Sequence, residues 1–186
     1  MTTPLSKGIF LIATPGLRDP NFRQTVVLLC EYGEQGALGV IVNRPTEISI
    51  SEVLPQAPVL ESQCHRVFAG GPVQRNNLLI LFRLEHKPPD THHVIDGVYL
   101  GGDMETLDRV LKQPSPNETF RAFMGYSGWA PGQLENEIEM GSWFTKPADP
   151  VLIFEKDPSR LWADILKTID EKFSIYADMP LDPSLN

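Results

Sequence analysis

The order of its apolar segments predicts an α+β fold for this 186-residue chain. Three observations carry the prediction. Runs rich in Val, Ile and Leu, bounded by Gly, Pro or Asn, dominate the first half. Segments of helical period come mainly in the second half. The two kinds do not alternate as regular strand–helix–strand units, which disfavours a doubly wound parallel sheet. With 41% apolar residues the chain can bury one substantial core, so a single domain over residues 1–186 is expected.

In chain order, GIFLIA (8–13), QTVVLLCEY (24–32), ALGVIVN (37–43) and LLILF (78–82) read as strands. The second and third are apolar on both faces, and GEQG between them fits a hairpin. A helical turn can begin at Ser51 in SEVL. RVFAG and GVYLG are shorter strands, each closing on a paired glycine. PQAPVLESQCH (55–65) and LEHKPPDTHH (84–93) have the proline and polar content of loops.

DMETLDRVLKQ predicts a helix: Asp103 can accept from the first-turn N–H groups, and Met104, Leu107, Val110 and Leu111 form one stripe. PGQLENEIEMG is a shorter one, started by Pro131, with Leu134 and Ile138 inward and Gly141 as a left-handed cap. DPSRLWADILKTIDEKF has Asp157 as cap and Pro158 at the first helical position, with Leu161, Trp162, Ile165, Leu166 and Ile169 on the buried side. The tail ADMPLDPSLN (177–186) is expected to be mobile.

Sixteen basic and 24 acidic residues give a net charge of -8, and residues 133–186 hold 5 basic against 11 acidic. Nucleic-acid affinity comes mainly from Lys and Arg neutralising phosphates, so sequence-specific DNA binding by this chain is not expected. No apolar stretch reaches the length of a membrane span, and MTTPLSKG lacks the pattern of a signal peptide. A cytoplasmic location without membrane attachment follows, where Cys30 and Cys64 would stay thiols.

GYSGW (125–129) stops one residue short of the nucleophile elbow G-x-S-x-G. Trp129 stands where the second glycine would let a helix pack behind the serine. His65, His86, His92 and His93 all lie in or beside the loop segments, with no acidic residue at a suggestive spacing. GYSGW therefore reads as a strand ending in a glycine-assisted turn, with Trp129 pinning the next helix to the core. A hydrolase using Ser127 or Cys30 is the alternative, although Cys30 in a core strand is ordinarily an inert small hydrophobe.

In ATPGLRDPNFRQT, Asp19 can cap one helical turn, and Arg18 and Asp19 sit in a loop between core strands, where function collects. Asn43-Arg44-Pro45 is a strand stop that also offers an anion ligand. AGGPV (69–73) and LGGD (100–103) could present backbone N–H groups, but AGGPV continues into Gln74-Arg75-Asn76 without the G-K-[ST] of a phosphate cradle. Cys64-His65 and His92-His93 lack metal-ligand spacing, and Glu135 and Glu139 are a solvated helix flank.

Together GIFLIATPGLRDPNFRQTVVLLCEY, GALGVIVNRP, AGGPV and GYSGWAPGQLENEI resemble the YqgE/AlgH family of bacterial proteins, from about residue 7 to 169. The resemblance implies a mixed, bifurcated β-sheet curled into a pseudo-barrel with a few flanking helices, a bacterial cytosolic location and no cofactor. It also implies a family name taken from a proposed regulator of alginate synthesis, without an established activity. Two departures stand out: Cys30-Glu31-Tyr32 where the family has C-E-H, and Ser127 where relatives often carry alanine. The resulting expectation is a non-catalytic regulatory or binding protein, with no metal, that recognises a small anionic ligand or a protein partner. Its site would combine Asp19, Glu31, Asn43, Arg44 and the Gly70-Gly71-Pro72 turn.

Overall fold

Strands whose residues are apolar at every position need cover on both faces, and the first three have it. The computed structural model describes residues 3–55, 65–101, 104–113 and 115–176. β1 (Ile9–Ala13) pairs antiparallel with β2 (Val26–Gly33), which turns through Glu34 and Gln35 into β3 (Gly36–Ile41) with Gly33 opposite Gly36. Phe10, Ile12, Val26, Leu28 and Val40 face one apolar cluster, while Leu11, Val27, Leu29 and Ile41 face another.

The rest of the sheet is organised by β9 (Thr119–Trp129). One edge pairs antiparallel with β6 (Val73–Arg83). The other edge is shared. Ser127–Trp129 pairs with β3, whereas Phe123 and Met124 pair in parallel with β5 (Arg66–Ala69), which also carries β4 (Pro45–Ser49). The sheet divides at this point, which is the expected bifurcation. Beyond β6 come β8 (Val98–Gly101) and β7 (Thr91–Ile95), and β10 (Trp143–Pro147) lies outside β1.

The sheet is curled but not closed, because β10 and β7 end the path without pairing to each other. The curl brings Val94, Val98 and Leu100 into the same cluster as Phe10, Ile12 and Leu28, and Lys7 Nζ donates to His93 O at 3.0 Å across the gap.

Helices cover what the sheet leaves open. α1 (Ile50–Val53) starts at a capping box in which Ser49 Oγ accepts from Ser51 N and Glu52 accepts from Ser49 N. α1 and α2 (Met104–Lys112) cover the cluster of Phe82, Leu107 and Phe120. α3 (Gln133–Glu139) packs Leu134 against the face holding Trp129 and Trp143. α4 (Pro150–Phe154) and α5 (Pro158–Ile169) cover the central cluster, and a 3₁₀ turn over Glu171–Tyr176 follows. α5 begins as its grammar predicts, with Asp157 accepting from Ser159 N at 2.9 Å and Pro158 supplying no surplus donor. Trp162 is almost fully buried and donates its indole N–H to Ala13 O at 2.8 Å, tying α5 to the end of β1.

Four local expectations change. Thr91–Ile95 is a strand although Thr91, His92 and His93 close the segment expected to be loop, because pairing with β8 and inward Thr91 and Val94 outweigh its polar composition. Met104 is 46% exposed, at the edge of its helical stripe, and Thr106 takes an inward place beside Leu107, Val110 and Leu111. GYSGW ends a strand as expected but holds no turn: β9 runs through it to its last residue, Trp129. α4 was not anticipated, although Asp149-Pro150 repeats the start signal of Asp157-Pro158. Asp103, residues 56–64 and the tail 177–186 lie outside the described residues.

Candidate functional site

The loop between β1 and β2 owes its shape to Asp19 and Arg44. Asp19 Oδ1 accepts from Asn21 N at 2.8 Å, and its carbonyl accepts from Phe22 N and Arg23 N, forming the capped turn the sequence predicts. The carbonyls left over are gathered by one guanidinium. Arg44 Nη1 donates to Asn21 O at 2.6 Å, and Nη2 donates to Arg23 O at 3.0 Å and Pro20 O at 3.3 Å. Burial lowers the Arg44 pKa, the nearby Arg23 charge lowers it further, and Asp19 opposes both. Asn43 staples the other end of the loop: its Oδ1 accepts from Val26 N at 2.8 Å and its Nδ2 donates to Gln24 O at 2.9 Å.

The AGGPV and GYSGW motifs form a single joint. Gly70 N donates to Met124 O, and Gly70 O accepts from both Ile41 N at 2.9 Å and Ser127 Oγ at 3.2 Å. Here two backbones cross with no room between them. A Cβ at Gly71 would overlap the Tyr126 backbone, and one at Gly125, where φ is 71°, would stand 2.7 Å from Gly71 O and 2.8 Å from Val73 O. The crossing forces a register shift: Val73 faces Tyr126 but Leu78 faces Met124, so residues 74–77 leave the ladder, with Gln74 at φ 46°. That excursion carries Arg75 to the loop, where its Nη2 donates to Asn21 Oδ1 at a long 3.4 Å.

Between the loop, β4 and the glycine joint lies a cleft of about 330 Å³. Its lining mixes polar Asn21, Arg44 and Arg75 with apolar Ile41, Ile48 and Met124, and includes Gly71 and Pro72. Ile48 is 43% exposed, a large apolar side chain open to the cleft.

Of the residues singled out in the sequence, Arg44, Gly71 and Pro72 line this cleft together. Asp19 contributes its charge at Arg44, and Asn43 and Gly70 are structural supports whose hydrogen bonds hold the loop and the joint. Glu31 is not brought to the cleft. It is exposed and lines a separate concavity of about 390 Å³ with Gln35, Tyr126 and Trp129. Asn21, Ile48, Arg75 and Met124 were not singled out for it. For Arg75 a signal existed, because the exposed polar run Gln74–Asn77 follows the glycine pair Gly70-Gly71 after only Pro72 and Val73.

Neither candidate nucleophile faces a reactant. Ser127 is fully buried and its hydroxyl donates to a carbonyl. Cys30 is buried against Leu28 O at 3.5 Å, and burial raises its thiol pKa well above the ordinary range, with the Glu31 charge adding to the rise. Among the described histidines, His65 packs on Phe120 with ring centroids 4.8 Å apart, and His93 approaches Asp96 at 3.9 Å. No group of three or more His, Cys, Asp or Glu that could hold a metal ion occurs among the described residues. None of the described helices is long and apolar enough to cross a membrane.

Residues 10–174 match the family model described as AlgH-like, DUF179. The chain is 35% identical over 184 residues to a UPF0301 protein of Cytophaga hutchinsonii, covering 98% of this chain and 100% of that protein. It is 36% identical to a UPF0301 protein of Chlorobium luteolum, covering 98% and 95%. Among solved structures it resembles the AlgH protein of Pseudomonas aeruginosa, with TM-score 0.73 and 28% identity over 97% of this chain and 98% of that one. Protein DIP2367 of Corynebacterium diphtheriae shares the fold with TM-score 0.79 at 22% identity, covering 96% and 95%.

Proposed function

We propose that this chain, which belongs to the AlgH-like family, works as a non-catalytic binding protein that holds a small anionic ligand in the cleft between the 19–24 loop, β4 and the glycine joint. One observation carries the reading. Arg44 and Arg75 line the same concavity, and neither has a carboxylate within salt-bridge distance among the described residues, in a chain whose net charge is -8. Clefts lined by one sign of charge focus the field and concentrate counter-ions. A volume of about 330 Å³ lies at the small end of ligand sites, which run from about 300 to 1,000 Å³.

The test is a thermal-shift screen of the intact protein against small organic anions, repeated with Arg75→Gln. A ligand at about 100 times its dissociation constant stabilises the fold by about 2.7 kcal/mol. Stabilisation that Arg75→Gln removes supports the reading, and stabilisation indifferent to Arg75 sinks it. The same reading keeps the isolated chain off DNA at physiological salt, and a saturable gel shift that separates promoter from random sequence contradicts it.

The hydrolase alternative draws on Ser127 and Cys30, and their burial counts against it. Stoichiometric labelling of native Ser127 by a serine-directed activity probe reverses that ranking.

A further inference from the structure

We infer that the cleft takes a singly charged carboxylate with a short apolar tail, a free organic acid of roughly four to eight carbons. The inference rests on the ligand-site reading above and names the class of ligand.

The cationic donors limit the charge. Both Arg44 terminal nitrogens already serve backbone carbonyls, so this side chain supplies field but few free donors. Arg75 is the guanidinium left to bind, its one side-chain hydrogen bond among the described residues being the 3.4 Å approach to Asn21 Oδ1. A single planar fork matches one carboxylate, which it can grip through two parallel hydrogen bonds. A phosphate dianion asks for a further cation or a nest of backbone N–H groups. The glycine pair is poorly placed to provide one, since Gly70 N is bonded to Met124 O and the Gly71 backbone is pressed against Tyr126.

The apolar lining specifies the tail. Ile48 and Met124 line the same cleft as the guanidinium, and the half-exposed Ile48 gains cover when a hydrocarbon lies on it. Methionine adapts its three rotatable bonds to tails of different length. A ligand that is charged at one end and apolar at the other satisfies both kinds of lining residue, which neither an inorganic anion nor a neutral alkane does.

The experiment is an NMR titration of the ¹⁵N-labelled intact chain with butanoate, hexanoate and octanoate. Hexyl phosphate, hexan-1-ol and a capped dipeptide ending in a free leucine carboxylate are titrated in parallel. Expected are shifts centred on Ile48, Arg75 and Met124, affinity rising about fourfold for each methylene buried, and about a tenfold loss of hexanoate affinity in Arg75→Gln. Arg75 is exposed, so this variant keeps its fold. Hexan-1-ol binding as well as hexanoate, or affinity independent of chain length, overturns the class. Hexyl phosphate binding tenfold tighter than hexanoate also overturns it while leaving an anion site standing. Preference for the dipeptide reassigns the carboxylate to a chain terminus and overturns the free acid. Absence of cleft shifts with every anion rejects the class and the ligand-site reading together.

Discussion

Trp129 donates its indole N–H to a carboxylate oxygen of Glu137 at 2.9 Å. Trp143 donates to the same oxygen at 2.8 Å, so one carboxylate on α3 holds the last residue of β9 and the first of β10. Phe22 stacks on Trp129 with centroids 6.1 Å apart and meets Trp143 edge-on at 5.5 Å. The cluster therefore also anchors the loop that shapes the cleft, because Phe22 N is bonded within the Asp19 turn.

Trp129→Ala should destabilise the fold by about 3–5 kcal/mol, since it removes a large side chain that is only 5% exposed. Glu137→Ala should cost about 2–4 kcal/mol, because the indole donors of two buried tryptophans lose their acceptor together. Urea unfolding followed by tryptophan fluorescence measures both. A Trp129→Ala protein as stable as its parent would mean that the indole does not anchor α3.

Cys30 should resist alkylation in the native protein. Burial disfavours its thiolate, and at 1% exposure the residue offers a reagent almost no access. Iodoacetamide treatment at pH 8 with peptide mapping should leave Cys30 unmodified until denaturant is added. Rapid native labelling at that position would revive the thiol-nucleophile alternative.

Acid should weaken the contact between the 85–86 segment, α2 and the start of β9. Hydrogen bonding from Arg109 at 2.7 Å, helped by Glu85 N, holds the Glu118 carboxyl below its ordinary pKa, and its side chain is only 8% exposed. A depressed folded-state pKa means that the stabilisation is present above the unfolded value near 4.5 and is lost as pH falls through the folded one. Arg109 is 44% exposed, so the contribution is about 1 kcal/mol. Glu118→Gln should be less stable than its parent at pH 7, and the difference should shrink by pH 3. Equal differences at both pH values would contradict the assignment.

What the sequence made legible was local chemistry. Asp19, Asp157 and Gly141 act at their turns and helix ends as their side chains or lack of one dictate, because capping depends on neighbours within a few residues. The strands β1 to β3 were legible because cover on both faces leaves an unbroken apolar run. β7 was not, since Thr91–Ile95 becomes a strand only through β8 and the curl that buries Val94. The cleft was half legible: Arg44, Gly71 and Pro72 belong to unusual loop motifs, whereas Arg75 arrives through a register shift between distant strands. Glu31 shows the limit of grouping residues by motif, since it follows Cys30 on β2 yet faces a different concavity.

The sharpest contrast lies within GYSGW itself. Ser127 resembles a nucleophile in sequence, but its hydroxyl donates to Gly70 O, which keeps a second donor in Ile41 N when the serine is lost. Ser127→Ala should therefore stay within about 1 kcal/mol of the parent. Gly125→Ala meets two penalties at once. A φ of 71° costs an L-residue about 1–2 kcal/mol, and the new methyl would sit 2.7 and 2.8 Å from carbonyl oxygens of the crossing segment, backbone that cannot swing aside. About 3 kcal/mol or more is expected in total. Because the same crossing sets the excursion that presents Arg75, a Gly125→Ala protein that still folds should also lose anion-induced stabilisation, while Ser127→Ala retains it. Denaturant melts with and without hexanoate read both effects. A destabilised Ser127→Ala beside an unperturbed Gly125→Ala would return the motif to the serine and remove the glycine joint as the reason for its sequence.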